Sequence, residues 1–242
     1  MLTFFGKGFH YGQDGPGNRL VIHLLGCNLR CPWCSNPEGM NAARQGRDVE
    51  RAEVGALFEE ILSCAPMFFD GGGVTFTGGE ATLQFDELAR LLGMLRDRGI
   101  HTAIETNATG PRLPELFPLL GLLIADFKHP DDETLRRVTG AEGGAIRKNL
   151  RAAAGRVPLL LRIPLIHGFN DGKEAEAGFL EFFASLPKEG WQLELLPYHE
   201  YGRDKWEKLG LAYTVRDGSV SPERVRALKE SFRSHGISVT ET

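Results

Sequence analysis

Short β-rich runs alternate with helical patterns along this chain, and this alternation constrains the fold more than any other feature. Apolar residues recur at the helical period within 54–62, 88–95 and 179–186, and Ser221-Pro222 marks a further helix start. Strands that alternate with helices favour a parallel sheet with right-handed crossovers. We therefore predict an α/β fold, an open partial barrel with six strands at 19–25, 73–77, 101–105, 122–126, 158–163 and 191–196.

Every predicted strand runs directly into polar or glycine-rich residues. In barrel-like α/β folds the active site forms at the carboxyl ends of the strands. We therefore expect one functional site at this end of the sheet. The strands end, in chain order, at a cysteine-rich loop, at Thr77-Gly78-Gly79-Glu80, at Glu105-Thr106-Asn107, at Asp126-Phe127-Lys128, at Arg162 with Pro164, and at Pro197-Tyr198-His199.

The loop after the first strand holds Cys27, Cys31 and Cys34, three of the four cysteines in the chain. Cys64 stands apart in an apolar helix end, and we interpret it as a buried core thiol. Thiolates select zinc, copper(I) or iron–sulfur clusters, and a closed zinc site takes four ligands. Three thiolates instead leave one iron of a [4Fe-4S] cluster free to bind another group. A zinc site or a fortuitous thiol cluster is the alternative.

Oxygen-bearing side chains at neighbouring strand ends form a second pattern. Glu105, Thr106 and Asp126 offer the oxygen ligands that a hard cation prefers. Lys128 lies on the same strand face as Asp126, and the simpler interpretation of this pair is a surface salt bridge. Arg162 interrupts an apolar strand, so it either binds a carboxylate or lies at the exposed end of the strand.

Three further features have a simple structural interpretation beside the functional one. Gly78-Gly79-Glu80 reads as a tight turn capped by a carboxylate, or as a place where the backbone approaches a ligand closely. His199 is either a hydrogen-bonded structural histidine or a ligand-binding residue. The stretch Asp14-Gly15-Pro16-Gly17 has the composition of a surface turn.

The overall composition excludes several classes of protein. The chain has 28 basic and 32 acidic residues, a net charge of -4, whereas general nucleic-acid binders are basic. The apolar run 116–125 is too short to span a membrane, and the first residues lack the pattern of a signal peptide. Clustered cysteines favour a reduced, cytoplasmic compartment. With no linker-like break, we expect a single domain over residues 1–242.

Taken together, these motifs resemble the radical S-adenosylmethionine (SAM) superfamily, and within it the activating enzymes of glycyl radical enzymes. The layout, with no second group of cysteines, is similar to that of the pyruvate formate-lyase activators. The resemblance covers nearly the whole chain. It rests on Asp14-Gly15-Pro16-Gly17, the cysteine loop with Ser35-Asn36-Pro37-Glu38, the stretch 71–80, Glu105-Thr106-Asn107, Asp126-Phe127-Lys128, Arg162-Ile163-Pro164, Gly168-Phe169-Asn170-Asp171 and the segment 196–210.

This resemblance implies a (β/α)6 TIM-like partial barrel with a radical SAM core. It implies a single [4Fe-4S] cluster on Cys27, Cys31 and Cys34. A monovalent cation would bind Glu105, Thr106 and Asp126, and the stretch 14–17, comprising Asp14, Gly15, Pro16 and Gly17, would hold the substrate peptide. The SAM site would comprise Trp33, Ser35, Gly78, Gly79, Glu80, Asp126, Lys128, Arg162 and His199.

The implied reaction is the reductive cleavage of SAM to methionine and a 5′-deoxyadenosyl radical. That radical removes a hydrogen from one glycine of a partner glycyl radical enzyme. The resemblance further implies a flavodoxin or ferredoxin-type electron donor and a monomer that binds neither nucleic acid nor membrane. A radical SAM enzyme that acts on a different peptide or small molecule is the alternative.

Overall fold

The computed structural model describes residues 1–40 and 49–240 and contains one eight-stranded sheet. Its spatial order is β3-β1-β2-β4-β5-β6-β7-β8. The strands from β2 to β8 pair in parallel, whereas β1 pairs antiparallel with both β2 and β3. The strands are β1 (Leu2–Tyr11), β2 (Asn18–Leu24), β3 (Glu50–Ala52), β4 (Gly73–Gly78), β5 (Thr102–Thr106), β6 (Leu122–Asp126), β7 (Leu159–Leu165) and β8 (Trp191–Pro197).

Each of the six predicted strands is present, with ends shifted by at most two residues. Within the described ranges the sheet ends at β3 and β8 and does not close on itself. The fold is therefore a partial, TIM-like barrel, as predicted. The two antiparallel strands β1 and β3 were not predicted. In β1, Gly6 and Gly8 interrupt the run of residues that usually signals a strand.

The described residues form seven α-helices. The three predicted apolar faces lie on α1, α2 and α5, and the predicted start at Ser221 caps α7, where its hydroxyl accepts from Arg224 N. Helices α3, α4 and α6 are additional. The helices are α1 (Val54–Ser63), α2 (Phe85–Asp97), α3 (Asp132–Thr139), α4 (Gly143–Ala153), α5 (Lys173–Ala184), α6 (Arg203–Lys208) and α7 (Pro222–Ser234).

The two faces of the sheet differ in chemistry. On β2, Leu20, Ile22 and Leu24 belong to the apolar core, so the alternate residues project from the opposite, concave face. That concave face carries polar side chains, among them Arg19 and His23. The interior of the partial barrel therefore carries polar side chains that can bind a ligand or take part in a reaction. No helix in the described parts of the chain is both long and apolar enough to cross a membrane.

Candidate active site

A cavity of about 320 Å³ lies at the carboxyl ends of the strands, where the sequence predicts the site. This volume is at the lower end of the range for small-molecule sites. Four predicted site residues, Glu80, Gly15, Pro16 and Gly17, are not part of its lining. The predicted residues that do line it are Asp14, Cys27, Cys31, Trp33, Cys34, Ser35, Gly78, Gly79, Glu105, Thr106, Asp126, Lys128, Arg162 and His199.

All three cysteines of the loop after β2 border this cavity. Backbone hydrogen bonds shape the loop: Cys34 N donates to Cys31 O at 3.1 Å, and Leu29 N donates to the Cys27 thiol at 3.4 Å. From the far edge of the sheet, Trp206 Nε1 of α6 donates to Cys34 O at 2.8 Å. The loop is therefore held both by its own turns and by a helix from the opposite side of the open barrel.

The environment of these thiols fits a cluster better than a single metal ion. In the described residues, no three Cys, His, Asp or Glu side chains converge on one point that could hold an ion. Four tetrahedral ligands of zinc must do so, whereas in a cluster each thiolate binds its own iron. Burial raises the pKa of Cys31 to about 11 and that of Cys34 to about 12. Bound iron, a positive charge within the loop, would stabilise the thiolates against this burial.

Cys64 lies away from the cavity, but it is half-buried, so the interpretation as a buried core thiol is only partly correct. It ends α1, where its backbone N–H donates to the carbonyl groups of Glu60 and Ile61. Its side chain packs against the apolar core and is not among the residues that border the cavity. Cys64 is thus separated from the three loop cysteines.

Asp126 and Lys128 form a salt bridge on the cavity wall rather than on the surface. Lys128 is 8% exposed. Burial lowers the pKa of Lys128, but the charges of Asp126 and Cys31 outweigh this effect, so its pKa lies above the ordinary value. The ammonium group therefore remains charged beside the cysteine loop, and the interpretation of the pair as a surface salt bridge is wrong.

Arg162 is buried, and its guanidinium joins three separate parts of the chain. It forms salt bridges with Glu105 of β5 and Glu194 of β8. Its Nη2 donates to Gln13 O at 2.6 Å. The alternative of an arginine at an exposed strand end is therefore wrong. The carboxylates that Arg162 binds belong to the protein, which leaves its predicted role toward SAM a prediction.

The predicted cation ligands each bind partners within the protein. Asp126 pairs with Lys128, and Glu105 accepts from Arg162 and from Thr77 Oγ1, the latter at 2.6 Å. Thr106 Oγ1 donates to Glu80 Oε1 at 2.6 Å. The side chains of Lys128 and Arg162 thus already compensate the two carboxylates. The monovalent cation stays a prediction.

The glycines at the end of β4 are required by close packing of three loops. A side chain on Gly79 would lie 1.9 Å from Gly26 O, and Gly78 has a positive φ of 106°. Gly26 N in turn donates to Gly39 O at 2.9 Å. This packing places the Gly78 and Gly79 backbone on the cavity wall beside the cysteine loop.

Glu80 is fully buried and does not reach the cavity, so its predicted contact with the cofactor is replaced by a structural role. One carboxylate oxygen accepts from Thr82 N at 3.0 Å, Thr82 Oγ1 at 2.6 Å and Thr106 Oγ1 at 2.6 Å. The other oxygen accepts from Asn107 N at 2.7 Å. Glu80 thereby caps the short 3-10 helix Ala81–Gln84 and ties the end of β4 to the end of β5. The interpretation of Gly78-Gly79-Glu80 as a turn capped by a carboxylate therefore agrees with the structure at Glu80.

Trp33, Ser35 and His199 form a further part of the cavity wall, which we call the upper wall. The Trp33 ring lies 4.8 Å from that of Phe169, centre to centre, and Ser35 O accepts from Lys205 Nζ at 3.0 Å. His199 stacks on Tyr201 with ring centres 4.2 Å apart. Burial lowers the pKa of His199, so its imidazole is neutral near pH 7 and offers a donor and an acceptor.

The loop of residues 12–17 joins β1 to β2 and enters the barrel from the opposite end. Asp14 reaches the cavity wall, whereas Gly15 and Pro16 border a different, wider cavity beneath the strands, and Gly17 packs against Phe69 O. The Asp14 carboxylate lies 2.5 Å from His10 Nδ1. The description of this stretch as a plain surface turn is therefore wrong for Asp14, and its peptide-binding role stays a prediction.

Nine further residues line the cavity. Most continue a strand end or loop already singled out in the sequence, so the signal was present. Leu29, Ile166 and Leu196 are apolar, and nothing in their sequence context distinguishes them from core residues. The nine are Leu29, Asn36, Thr77, Asn107, Pro164, Ile166, Leu196, Pro197 and Tyr198.

Known proteins are similar to this chain in sequence and in fold. The pyruvate formate-lyase-activating enzyme of Staphylococcus epidermidis is 35% identical over 230 residues, covering 91% of this chain and 89% of that protein. The enzyme of Staphylococcus aureus strain USA300 is 34% identical over the same shares. These matches extend over 91% of the chain, well beyond the cysteine loop.

Solved structures agree with this relationship. A domain of pyruvate-formate lyase-activating enzyme from Bacteroides vulgatus has a TM-score of 0.59 and 30% identity, covering 70% of this chain and 98% of that one. A radical SAM methyltransferase from Sphaerobacter thermophilus has a TM-score of 0.65 over 96% of this chain and 67% of its own, at 16% identity, which shows the fold alone. Residues 21–180 match the family described as the Radical SAM superfamily. This chain therefore belongs to the radical SAM superfamily of enzymes.

Proposed function

We propose that this protein is an activase that uses SAM to remove a hydrogen atom from a glycine of a partner glycyl radical enzyme. The observation that carries the proposal is the single cavity in which three thiols meet the polar ends of the parallel strands. The relatives named as pyruvate formate-lyase-activating enzymes support the choice of partner class. When bound, a reduced [4Fe-4S] cluster on Cys27, Cys31 and Cys34 supplies one electron to SAM, releasing methionine and the radical that takes the glycine hydrogen.

The residues around the cavity have distinct roles in this proposal. Lys128 is a buried cation that can bind the SAM carboxylate while Asp126 holds it in place. Gly79 presents backbone without a side chain beside the cysteine loop. The neutral His199 ring and the Trp33 ring cover the upper wall, where they exclude water from a reactive intermediate. Glu105 and Arg162 also line the cavity, and their salt bridge holds that part of its wall rigid.

Asp14 gives the cavity a carboxylate on the side opposite the cysteines. Its carboxylate can accept a hydrogen bond from the backbone N–H of an incoming glycine peptide. His10, bound to the same carboxylate, fixes its orientation. The proposed setting is a cytoplasmic monomer that takes its electron from a flavodoxin or ferredoxin-type protein.

The test is the formation of a glycyl radical under anaerobic conditions. The iron-reconstituted protein is mixed with SAM, a chemical reductant and the pyruvate formate-lyase of S. epidermidis, and the product is examined by electron paramagnetic resonance. We expect a carbon-centred radical on the lyase and one 5′-deoxyadenosine released for each radical formed. SAM cleavage without any radical on the lyase would contradict this partner and favour a different peptide or small-molecule substrate. A protein that does not cleave SAM would contradict the proposed activity altogether.

A further inference from the structure

Two glycines lie in the middle of β1, and only Gly6 adjoins the register shift that the strand makes between Phe4 and Gly6. Among strand glycines, Gly73 would place a side chain 2.0 Å from His101 O, and Gly78 has a positive φ. Neither reason applies to Gly6 or Gly8. A side chain on Gly6 would approach only His23, at 3.9 Å, and one on Gly8 would meet no described atom within 4 Å. Glycine weakens a strand, and the bulge concerns Gly6 alone, so Gly8 calls for another cause that Gly6 can share.

Both glycines lie on the concave face of the partial barrel. In the antiparallel pair with β2, Gly6 lies opposite His23 and Gly8 lies opposite Val21. Opposed residues project from the same face of a sheet, and these β2 residues project away from the helices. The intervening Lys7 projects to the other side, where its Nζ lies 2.7 Å from Glu60 of α1. The concave face of β1 therefore presents bare backbone over two successive positions.

This bare strip leads to the candidate active site. His10 is the next residue on the same face, and its ring binds the Asp14 carboxylate at 2.5 Å. Asp14 lines the cavity that contains the cysteines. The side chains of His10 and Asp14 remain 36% and 17% exposed, so they are open to a ligand. The strip, His10 and Asp14 thus form a continuous path along the inside of the barrel into the cavity.

We propose that Gly6 and Gly8 form the floor of a subsite for the extended main chain of the protein substrate, from which its glycine enters the cavity. The inference rests on the proposed function and deepens it. Two facing backbones approach most closely where neither residue carries a side chain. Glycine therefore occurs at strand positions against which another chain binds. A substrate segment with small residues on both sides of its reacting glycine fits this floor, and a bulky segment does not.

The test places a side chain on the strip without straining the strand. In Gly8→Ala the added methyl group has room, whereas the Gly8→Leu side chain extends across the floor. Gly55→Leu is the matched control, because Gly55 of α1 likewise has no described atom within 4 Å of an added side chain and lies outside the barrel. Each variant is measured for SAM cleavage without substrate and for glycyl radical formation on S. epidermidis pyruvate formate-lyase. Kinetics with a synthetic heptapeptide of that lyase, centred on its radical glycine, give kcat/KM.

We expect the ratio of substrate-dependent to substrate-free SAM turnover to fall by about tenfold or more in Gly8→Leu, with an intermediate fall in Gly8→Ala and none in Gly55→Leu. The loss should lie mainly in KM for the peptide, because the subsite binds substrate rather than cofactor. Equal ratios in Gly8→Leu and the unchanged protein would overturn the inference and leave the proposed function standing. If Gly8→Leu does not fold, an unchanged KM in Gly8→Ala and Gly6→Ala would overturn it. No radical with the unchanged protein would overturn both.

Discussion

Cys64 is a built-in control for the three thiols of the cavity, because it is the one cysteine outside it. We predict that Cys31→Ala removes most of the bound iron after anaerobic reconstitution. Cys64→Ala should leave iron and sulfide at the level of the unchanged protein, since its half-buried thiol packs against the core and lies outside the cavity. Iron and acid-labile sulfide assays measure both. A large loss of iron in Cys64→Ala with none in Cys31→Ala would show that the ligands are misassigned.

Glu80 shows how a residue can serve the site without touching it. We predict that Glu80→Gln, though equal in size, destabilises the protein by about 1–3 kcal/mol, because an amide N–H₂ would then face a hydrogen-bond donor of Thr82, Thr106 or Asn107. Urea unfolding measures the change. Glu115→Gln is the control, because Glu115 is an exposed residue whose salt bridge with Arg112 lies at the surface. Equal effects of the two changes would contradict the role given to Glu80.

At the scale of single residues, the location of the site could be predicted from the sequence, whereas the contacts of its individual side chains mostly could not. The carboxyl ends of parallel strands meet in space, so the positions of Cys27, Asp126 and His199 at strand ends predicted one shared cavity, whereas the cysteine spacing and the family resemblance supplied their roles. The acceptors of Arg162 lie on β5, on β8 and at Gln13, which is 149 residues away in the chain. The residues next to Arg162 in the sequence give no indication of hydrogen-bond partners so far away in the chain. The burial of Glu80 was likewise invisible, because its donors come from two different loops.

At the scale of elements, the loop of residues 12–17 is held by the buried Arg19, which donates to a hydroxyl and to backbone carbonyl groups. Arg19 is fully buried, and its Nε donates to Thr75 Oγ1 at 2.7 Å while Nη1 donates to Pro16 O at 3.1 Å. The same hydroxyl, Thr75 Oγ1, donates to Asp14 O at 2.7 Å. Burial lowers the pKa of Arg19 to about 10, with the nearby Asp14 charge offsetting part of this effect. The backbone on which Asp14 depends is thus fixed from inside the sheet.

We predict that Thr75→Val destabilises the protein by about 1–3 kcal/mol, because it leaves the Arg19 Nε–H and the Asp14 carbonyl without their shared partner. Thr75→Ser keeps the hydroxyl and should recover most of this stability. Urea unfolding measures the stability, and the ratio of glycyl radical formed to SAM cleaved measures the position of Asp14. A valine variant as stable and as well coupled as the serine variant would contradict the role of this contact.

The parallel strands were predictable because each is a compact apolar run between turn signals, whereas β1 was not. Its apolar residues are interrupted by Gly6 and Gly8, whose strand preference is poor, so tertiary pairing with β2 overrides the local signal. The short β3 depends in turn on its pairing with β1. Helix α6 escaped prediction for a related reason, since no residue of it is buried. Its place depends on contacts with the cysteine loop rather than on an apolar face.

At the scale of the whole molecule, α6 spans the opening that an unclosed barrel leaves. It follows β8 at one edge of the parallel strands and packs over the loop that follows β2 at the other. Lys205 Nζ donates to Ser35 O and to Asn36 Oδ1, each at 3.0 Å, and Trp206 Nε1 donates to Cys34 O. Helix α6 therefore covers the opening of the barrel above the cysteine loop.

If α6 protects the cluster end, loosening it should change cluster retention more than overall stability. We predict that Trp206→Phe, which removes the hydrogen bond to Cys34 O, speeds the loss of iron to a chelator by about fivefold. Trp191→Phe is the matched control, because its Nε1 makes the same kind of bond, to Pro187 O at 2.7 Å, far from the cysteines. Both changes should cost similar stability in urea, about 0.5–1.5 kcal/mol. The decay of the cluster's visible absorbance after anaerobic addition of chelator measures the rate. Equal rates of iron loss in the two variants would show that α6 stabilises the fold without protecting the cluster.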